Sequence, residues 1–203
     1  MTMAAAFRTR REASAEDTRR KITVAAIELV HEVGWREATV ERIAAKAGVA
    51  KGTFFVHFAN KEALVESLVG IQVGAAKRAR VKASEKSAKE RLRETVLTLG
   101  RHAGASIELS RAVLVATMQN IDVAKAVDDM FRDVHDEMIA DATELVGKKE
   151  AASLANLLMA CYLGAALHCT TSPRAGSLED VLAPLVDATL SAIEPKIKKR
   201  KKR

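Results

Sequence analysis

Between Thr39 and Asn60 the chain reads as two short helices separated by a tight turn, and this spacing constrains its fold more than any other feature. Thr39 is placed to cap a helix over Val40 to Ala47, with Glu41 in the first turn, where the helix dipole favours a negative charge. Gly48 supplies the positive φ that ends it. A second helix, Lys51 to Phe58, begins three residues later, and Asn60 caps a longer one starting at Lys61. Before them, Ile22, Ala26, Leu29 and Val33 recur at helical spacing in a run that starts at about Ser14 or Glu16. Gly34 stops that run, and Trp35 is placed to fold back on its last turn. Two short helices joined by a glycine-containing turn form the helix-turn-helix pattern.

The rest of the chain is also helical in character. Hydrophobic residues make up 48% of the 203 positions, which excludes a disordered chain, yet only 3% are aromatic and there are three prolines. That is a helix-forming composition without the β-branched and aromatic enrichment of strands. Charge is segregated along it. Residues 77–93 hold eight basic and two acidic groups, whereas residues 94–195 hold seven basic and fifteen acidic. Residues 196–203 hold seven basic groups and no acid, equal to the net charge of the whole chain, +7. The pattern points to a nucleic-acid-facing end and an acidic body. The basic tail is expected to be disordered and to add affinity for DNA without reading sequence.

Cys161 and Cys169 lie eight residues apart, about 12 Å along a helix, too far to bridge, so the chain reads as reduced and cytoplasmic. The first residues contain no apolar segment long enough for a signal peptide. Residues 151–173 carry no charge and are long enough to span a membrane. Their Ser153, Asn156, His168 and many alanines, without an aromatic belt, instead suit a helix buried on two sides, so no membrane partner is expected.

Residues 18–69 resemble the DNA-binding domain of the TetR family of transcriptional regulators. The positions that carry the resemblance are Ile22, Ala26 and Leu29, then Gly34-Trp35, Thr39, Ile43-Ala44 and Ala47-Gly48-Val49. They continue through Lys51-Gly52-Thr53-Phe54-Phe55, His57-Phe58 and Lys61-Glu62-Ala63-Leu64. The resemblance implies an all-α protein with an N-terminal three-helix helix-turn-helix domain over 16–68 and a helical effector-binding and dimerisation domain over 69–195. Residues 1–15 would form a basic arm and residues 196–203 the tail.

In this reading Lys51, Gly52 and Thr53 form the leading edge of the helix that enters the major groove. Lys51 can donate to guanine or phosphate, Thr53 can touch a thymine methyl, and Gly52 permits close approach. By resemblance Thr39, Phe55, His57 and Lys61 hold phosphates. Lys61 would do so at a helix N-terminus, while Arg8, Arg10 and Arg11 would reach the minor groove. Ile43, Ala44, Val49, Phe54 and Phe58 form a mini-core. Three positions depart from the family pattern: Phe55 lacks the usual tyrosine hydroxyl, Val56 is not aromatic, and Ala50 cannot cap.

Beyond residue 69, helical runs are expected at about 90–103, 105–119, 122–146, 151–170 and 177–193, with 77–93 a helix extension or a loop. In the third run Val123, Val127, Met130, Val134, Met138, Ala142 and Leu145 form an apolar stripe. Asp128, Asp129, Asp133, Glu137, Asp141 and Glu144 read as solvated surface. Ser177 and Asp180 open the last run, and Pro184 should kink it or delay its start. The resemblance implies a homodimer through the helices near 151–170 and 177–193, where Ala155, Gly164, Ala165 and Ala166 would permit close approach. Met118, Met130, Phe131, Met138, Met159 and Tyr162 are candidates for lining a pocket for a small hydrophobic effector.

No glycine-rich phosphate loop, nucleophile elbow or His-Glu-x-x-His is present, and His102, His135 and His168 lack metal-ligand spacing, so neither an enzyme nor a cofactor or metal is expected. The expected function is a ligand-responsive regulator, a repressor by the family's usual behaviour, on a palindromic operator. The alternative, an architectural protein that coats DNA without sequence preference, leaves the long net-acidic body unexplained.

Overall fold

A computed structural model describes residues 3–172 and 174–193, with only the backbone for residues 3–12. The described residues form helices without strands: α1 (Met3–Glu37), α2 (Val40–Lys46), α3 (Lys51–His57), α4 (Ala63–Lys82), α5 (Ala88–Gly104), α6 (Ile107–Gln119), α7 (Ile121–Val146), α8 (Lys148–Thr171) and α9 (Leu178–Ala192). The chain divides into two units, Met1–Leu68 and Val69–Arg203.

In the first unit α1 packs on α2 and α3, and α2 on α3. Ile22, Ala26, Leu29 and Val30 of α1 are buried with Ile43, Ala44, Phe54, Phe58, Leu64 and Val65. The end of α2 is set by Gly48 at φ 68°, where its N–H donates to Ala45 O (3.1 Å) and the Val49 N–H to Ala44 O (3.0 Å). This pair of bonds satisfies the last carbonyls of α2 and turns the chain into α3, and only glycine takes that φ without strain.

Two boundaries differ from expectation. α1 starts at Met3 rather than near Ser14, because Ala4-Ala5-Ala6 and the mixed-charge stretch that follows contain no helix breaker. Its first residues are therefore helix and not an extended arm, while the side chains of Arg8, Arg10 and Arg11 lie outside the described residues. α4 starts at Ala63, whose N–H donates to Asn60 Oδ1 (2.8 Å), so Lys61 precedes the helix instead of opening it.

The second unit is built around α5, which contacts α6, α7, α8 and α9. Every residue from Thr95 to Gly100 is consequently buried. Gly100 is what lets α9 come so close, since a Cβ there would stand 2.5 Å from Leu182 Cδ2. Residues 77–93 divide: α4 continues to Lys82, a turn follows, and Ser87 opens α5 in a capping box with Glu90. Ser177 opens α9, its Oγ accepting from the Asp180 N–H and donating to the Asp180 carboxylate. Pro184 lies inside α9 and does not delay its start, because this cap holds the first turn independently.

Asp141 corrects the expected solvated face of α7. It is 1% exposed, its carboxylate accepting from Arg80 Nε and Nη2 (3.1 and 2.9 Å) and from Arg91 Nε (2.8 Å). α8 is long and apolar enough to cross a membrane by length and composition. In the fold it packs on α5, α6, α7 and α9, with Leu154, Ala155, Leu158, Tyr162, Ala165 and Ala166 turned inward. Ala155, Ala165 and Ala166 therefore do not lie on its free side; Gly164 does, beside exposed Leu157, Leu163 and Leu167. Residues 196–203, the expected basic tail, lie outside the described residues.

Candidate nucleic-acid interface

α3 is seven residues long, and its Ala50 cap makes no side-chain hydrogen bond, so packing must hold it. Phe54 provides that packing, fully buried with its ring 5.5 Å from those of Phe58 and Phe55. Arg19 of α1 closes the other end. Its guanidinium lies 4.3 Å from the Phe58 ring centroid and donates to His57 O (2.6 Å) and Ser67 Oγ (2.9 Å). Arg19 lies one turn before Ile22, on the same side of α1, which is the signal in the sequence for this inward contact.

With Phe54 inward, α3 turns Lys51, Gly52, Phe55 and Val56 outward. Val56 is 79% and Phe55 47% exposed, an apolar surface beside the Lys51 ammonium. Nothing crowds Gly52. Thr53 and His57 are half-buried at the flanks. Lys51 pairs with Glu41 of α2 (2.5 Å), and this ammonium holds the Glu41 carboxyl below its usual range. Thr39 is exposed, its Oγ1 accepting from the Arg42 N–H (3.3 Å), so it caps α2 at the surface. Lys46 pairs with Glu32 (2.8 Å) and Glu28 (3.5 Å), fixing α2 on α1.

Lys61 is placed differently from the expected phosphate ligand. Its ammonium donates to Trp35 O (2.6 Å) and lies 4.5 Å from the centre of the Trp35 ring, and burial pushes its pKa below the usual lysine range. The structure therefore gathers Thr39, Lys51, Gly52, Thr53, Phe55 and His57 on α2 and α3 but turns Lys61 toward the end of α1.

Of the candidate pocket residues in the second unit, Phe131 and Tyr162 come together, with ring centroids 6.3 Å apart. The Tyr162 hydroxyl donates to Gln72 Oε1 (3.1 Å), and burial pushes its pKa up to about 12. Met130 is half-buried with its methyl against Gly70, and Met159 is half-buried on α8. Met138 is fully buried core. Met118 is 71% exposed near the C-terminal end of α6. Among the described residues no group of three or more His, Cys, Asp or Glu side chains is placed to hold a metal ion.

The first unit, with a rigid three-helix core and one exposed short helix after a glycine turn, defines a helix-turn-helix protein. Residues 22–68 match the sequence model of bacterial regulatory proteins, tetR family. The match covers the helix-turn-helix segment, so these residues are similar to the DNA-binding domain of that family. The chain is 41% identical over 54 residues to the fatty acid metabolism regulator protein of Bacillus subtilis, and 44% identical over 48 residues to the HTH-type transcriptional regulator YvdT of the same species. These matches cover 27% and 24% of this chain, and the chain spans only 28% and 25% of those relatives' lengths.

The whole fold is similar to that of the regulator FadR from Bacillus subtilis, solved with stearoyl-CoA, at 20% identity and a TM-score of 0.71; the match covers 85% of this chain and 97% of that one. FadR from Thermus thermophilus, solved with lauroyl-CoA, is similar at 22% identity and a TM-score of 0.65, covering 85% and 93%.

Proposed function

We propose that the chain is a cytoplasmic, effector-responsive repressor that binds a pseudo-palindromic operator as a homodimer. The observation that carries this reading is the outward face of α3, where Lys51, Gly52, Phe55 and Val56 stand on a core that Phe54 and Arg19 hold fixed. A short helix offering a cation, a bare backbone and apolar groups suits base edges and thymine methyls in the major groove. Two copies related by a two-fold axis would read half-sites about 34 Å apart or a multiple of it. Exposed Leu157, Leu163 and Leu167 of α8 and Leu185 of α9, with Gly164 beside them, supply an apolar surface for that pairing. The effector reading is supported by the Phe131–Tyr162 cluster and by the acyl-CoA ligands of the two FadR structures.

Footprinting with ultracentrifugation tests the proposal. A dyad-symmetric footprint and a dimer at micromolar concentration are expected; a monomer with no sequence-limited protection would instead fit an architectural coating protein. Lys51→Ala and Thr53→Ala should each relax discrimination at one or two base pairs by about 1–3 kcal/mol. Equal losses on operator and random DNA would remove base reading from these residues.

A further inference from the structure

A groove of about 370 Å³ in the second unit runs between the C-terminal half of α4, the turn after it, and α5. Ala75, Ala79 and Ala83, spaced one helical turn apart, keep its α4 side low. Arg78, Lys82 and Lys86 rise beside them, facing Arg101 on α5. The cations around this groove are otherwise neutralised inside the fold. Lys77 pairs with Asp133, Arg80 with Asp141, Arg91 with Asp141 and Glu144, and Arg93 with Asp187. Among the described residues Arg78, Lys82 and Lys86 have no carboxylate partner within 4.0 Å, and all three line this one groove.

Like charges gathered along a concave wall repel one another and focus a positive potential into it. Arg78 and Lys82 lie one turn apart on α4, about 6 Å along its axis, and Lys86 extends the row in the turn that follows. A single carboxylate would answer one of them. Groups carrying charge at several points along that row answer all three. The fourth cation, Arg101, has two resident counter-ions: it donates to Glu94 (2.6 Å) and Glu179 (3.4 Å), and also to Thr98 Oγ1 (2.8 Å). An incoming anion would compete with Glu94, the nearer of the two, for it.

We infer that this groove binds a small molecule bearing two or more phosphate groups, with Arg78, Lys82 and Lys86 as its ligands and Glu94 as the group it displaces from Arg101. The inference takes its meaning from the effector-responsive reading, as the site for the phosphate-bearing part of an effector. Gln72, which holds the Tyr162 hydroxyl, lies one turn before Ala75 on α4, so the Phe131–Tyr162 cluster adjoins the groove along that helix.

Calorimetric titration of the full chain, without DNA, tests the site with inorganic pyrophosphate, ATP and coenzyme A as probes. Saturable binding of at least one probe, one per chain, is expected. The double variant R78A/K82A should weaken it by roughly tenfold or more, since two of the charge-assisted contacts are lost. Glu94→Gln should strengthen it severalfold by removing the nearer of the two carboxylates that compete for Arg101, a gain that a damaged fold would not produce. Thermal unfolding of both variants checks that they remain folded. The ranking of the three probes separates a bare polyphosphate site from a nucleotide site.

Absence of saturable binding by all three probes, or binding indifferent to R78A/K82A, overturns the inference. So does loss of affinity for a random-sequence duplex in R78A/K82A with no probe binding to the native chain, since the groove would then be a surface for DNA phosphates. Because no DNA enters the titration, a negative result leaves the operator reading intact. A missing footprint with intact probe binding removes the operator reading alone.

Discussion

Phe54→Ala is expected to destabilise the first unit severely while leaving the second unchanged. Phe54 is fully buried, and the ring stacks of α3 and the residue after it converge on it. Truncating a buried Phe to Ala costs about 3–5 kcal/mol. A unit of 68 residues has roughly 3–10 kcal/mol of total stability at the usual value per residue. The loss therefore consumes about three tenths of that stability at least and all of it at most, and α3 has no side-chain cap to fall back on. Hydrogen exchange should show residues 39–58 losing protection, with peptides from α5 and α8 unchanged, and operator binding should disappear. Phe55→Ala is the internal control: its ring is half-exposed on the same helix, and it should cost about 0.5 kcal/mol. Comparable exchange in the two variants would show that Phe54 is not what holds α3.

The second large effect is expected at Asp141. Its carboxylate sits between Arg80 and Arg91 with almost no access to water, tying α7 to α4 and α5. Asp141→Ala leaves two guanidinium groups facing each other across an apolar methyl. Breaking a buried pair this way costs about 3–5 kcal/mol, and the lower end applies because Glu137 and Glu144 remain within reach. Urea unfolding of the second unit measures the loss. The triple variant R80M/D141L/R91M removes all three charges and should recover most of the stability, because the cost lies in unpaired charge and not in absent attraction. A triple variant as unstable as Asp141→Ala would contradict that account.

The punctuation of this fold was legible in its residues. Gly48, Ser177 and Asn60 each cap or stop a helix through their own backbone or side chain, so the signal is local and survives without tertiary context. The helix-turn-helix and the outward face of α3 followed from those stops and from the spacing of Phe54 and Phe58. What was not legible involves partners far away in sequence. Arg19 reaches residues 38 and 48 positions on, and Lys61 reaches back 26 to Trp35.

Asp141 is the instructive miss. It lies seven residues after Val134, three after Met138 and four before Leu145, squarely within the apolar stripe of α7. Its charge suggested solvent, but its position implied a buried partner, and the arginine-rich stretch 77–93 held two. The same stretch also holds the unpaired cations of the groove, which no periodicity distinguishes from the paired ones.

The joint at Gly147 has a consequence for how the second unit assembles. This one residue, at φ 79°, ends α7 and begins α8, and the two helices, 26 and 24 residues long, make the most extensive contact in the unit. Closing a loop costs entropy that grows with its length, and a connection of one residue is the shortest that two packed helices can have. The chain therefore searches very little space before α7 meets α8, where His135 Nε2 lies 2.7 Å from Asn156 Oδ1, and topologies with such local pairing cross their barrier fastest. α9, arriving last in sequence against a groove that Gly100 keeps open on α5, closes a core that the α7–α8 hairpin has already begun.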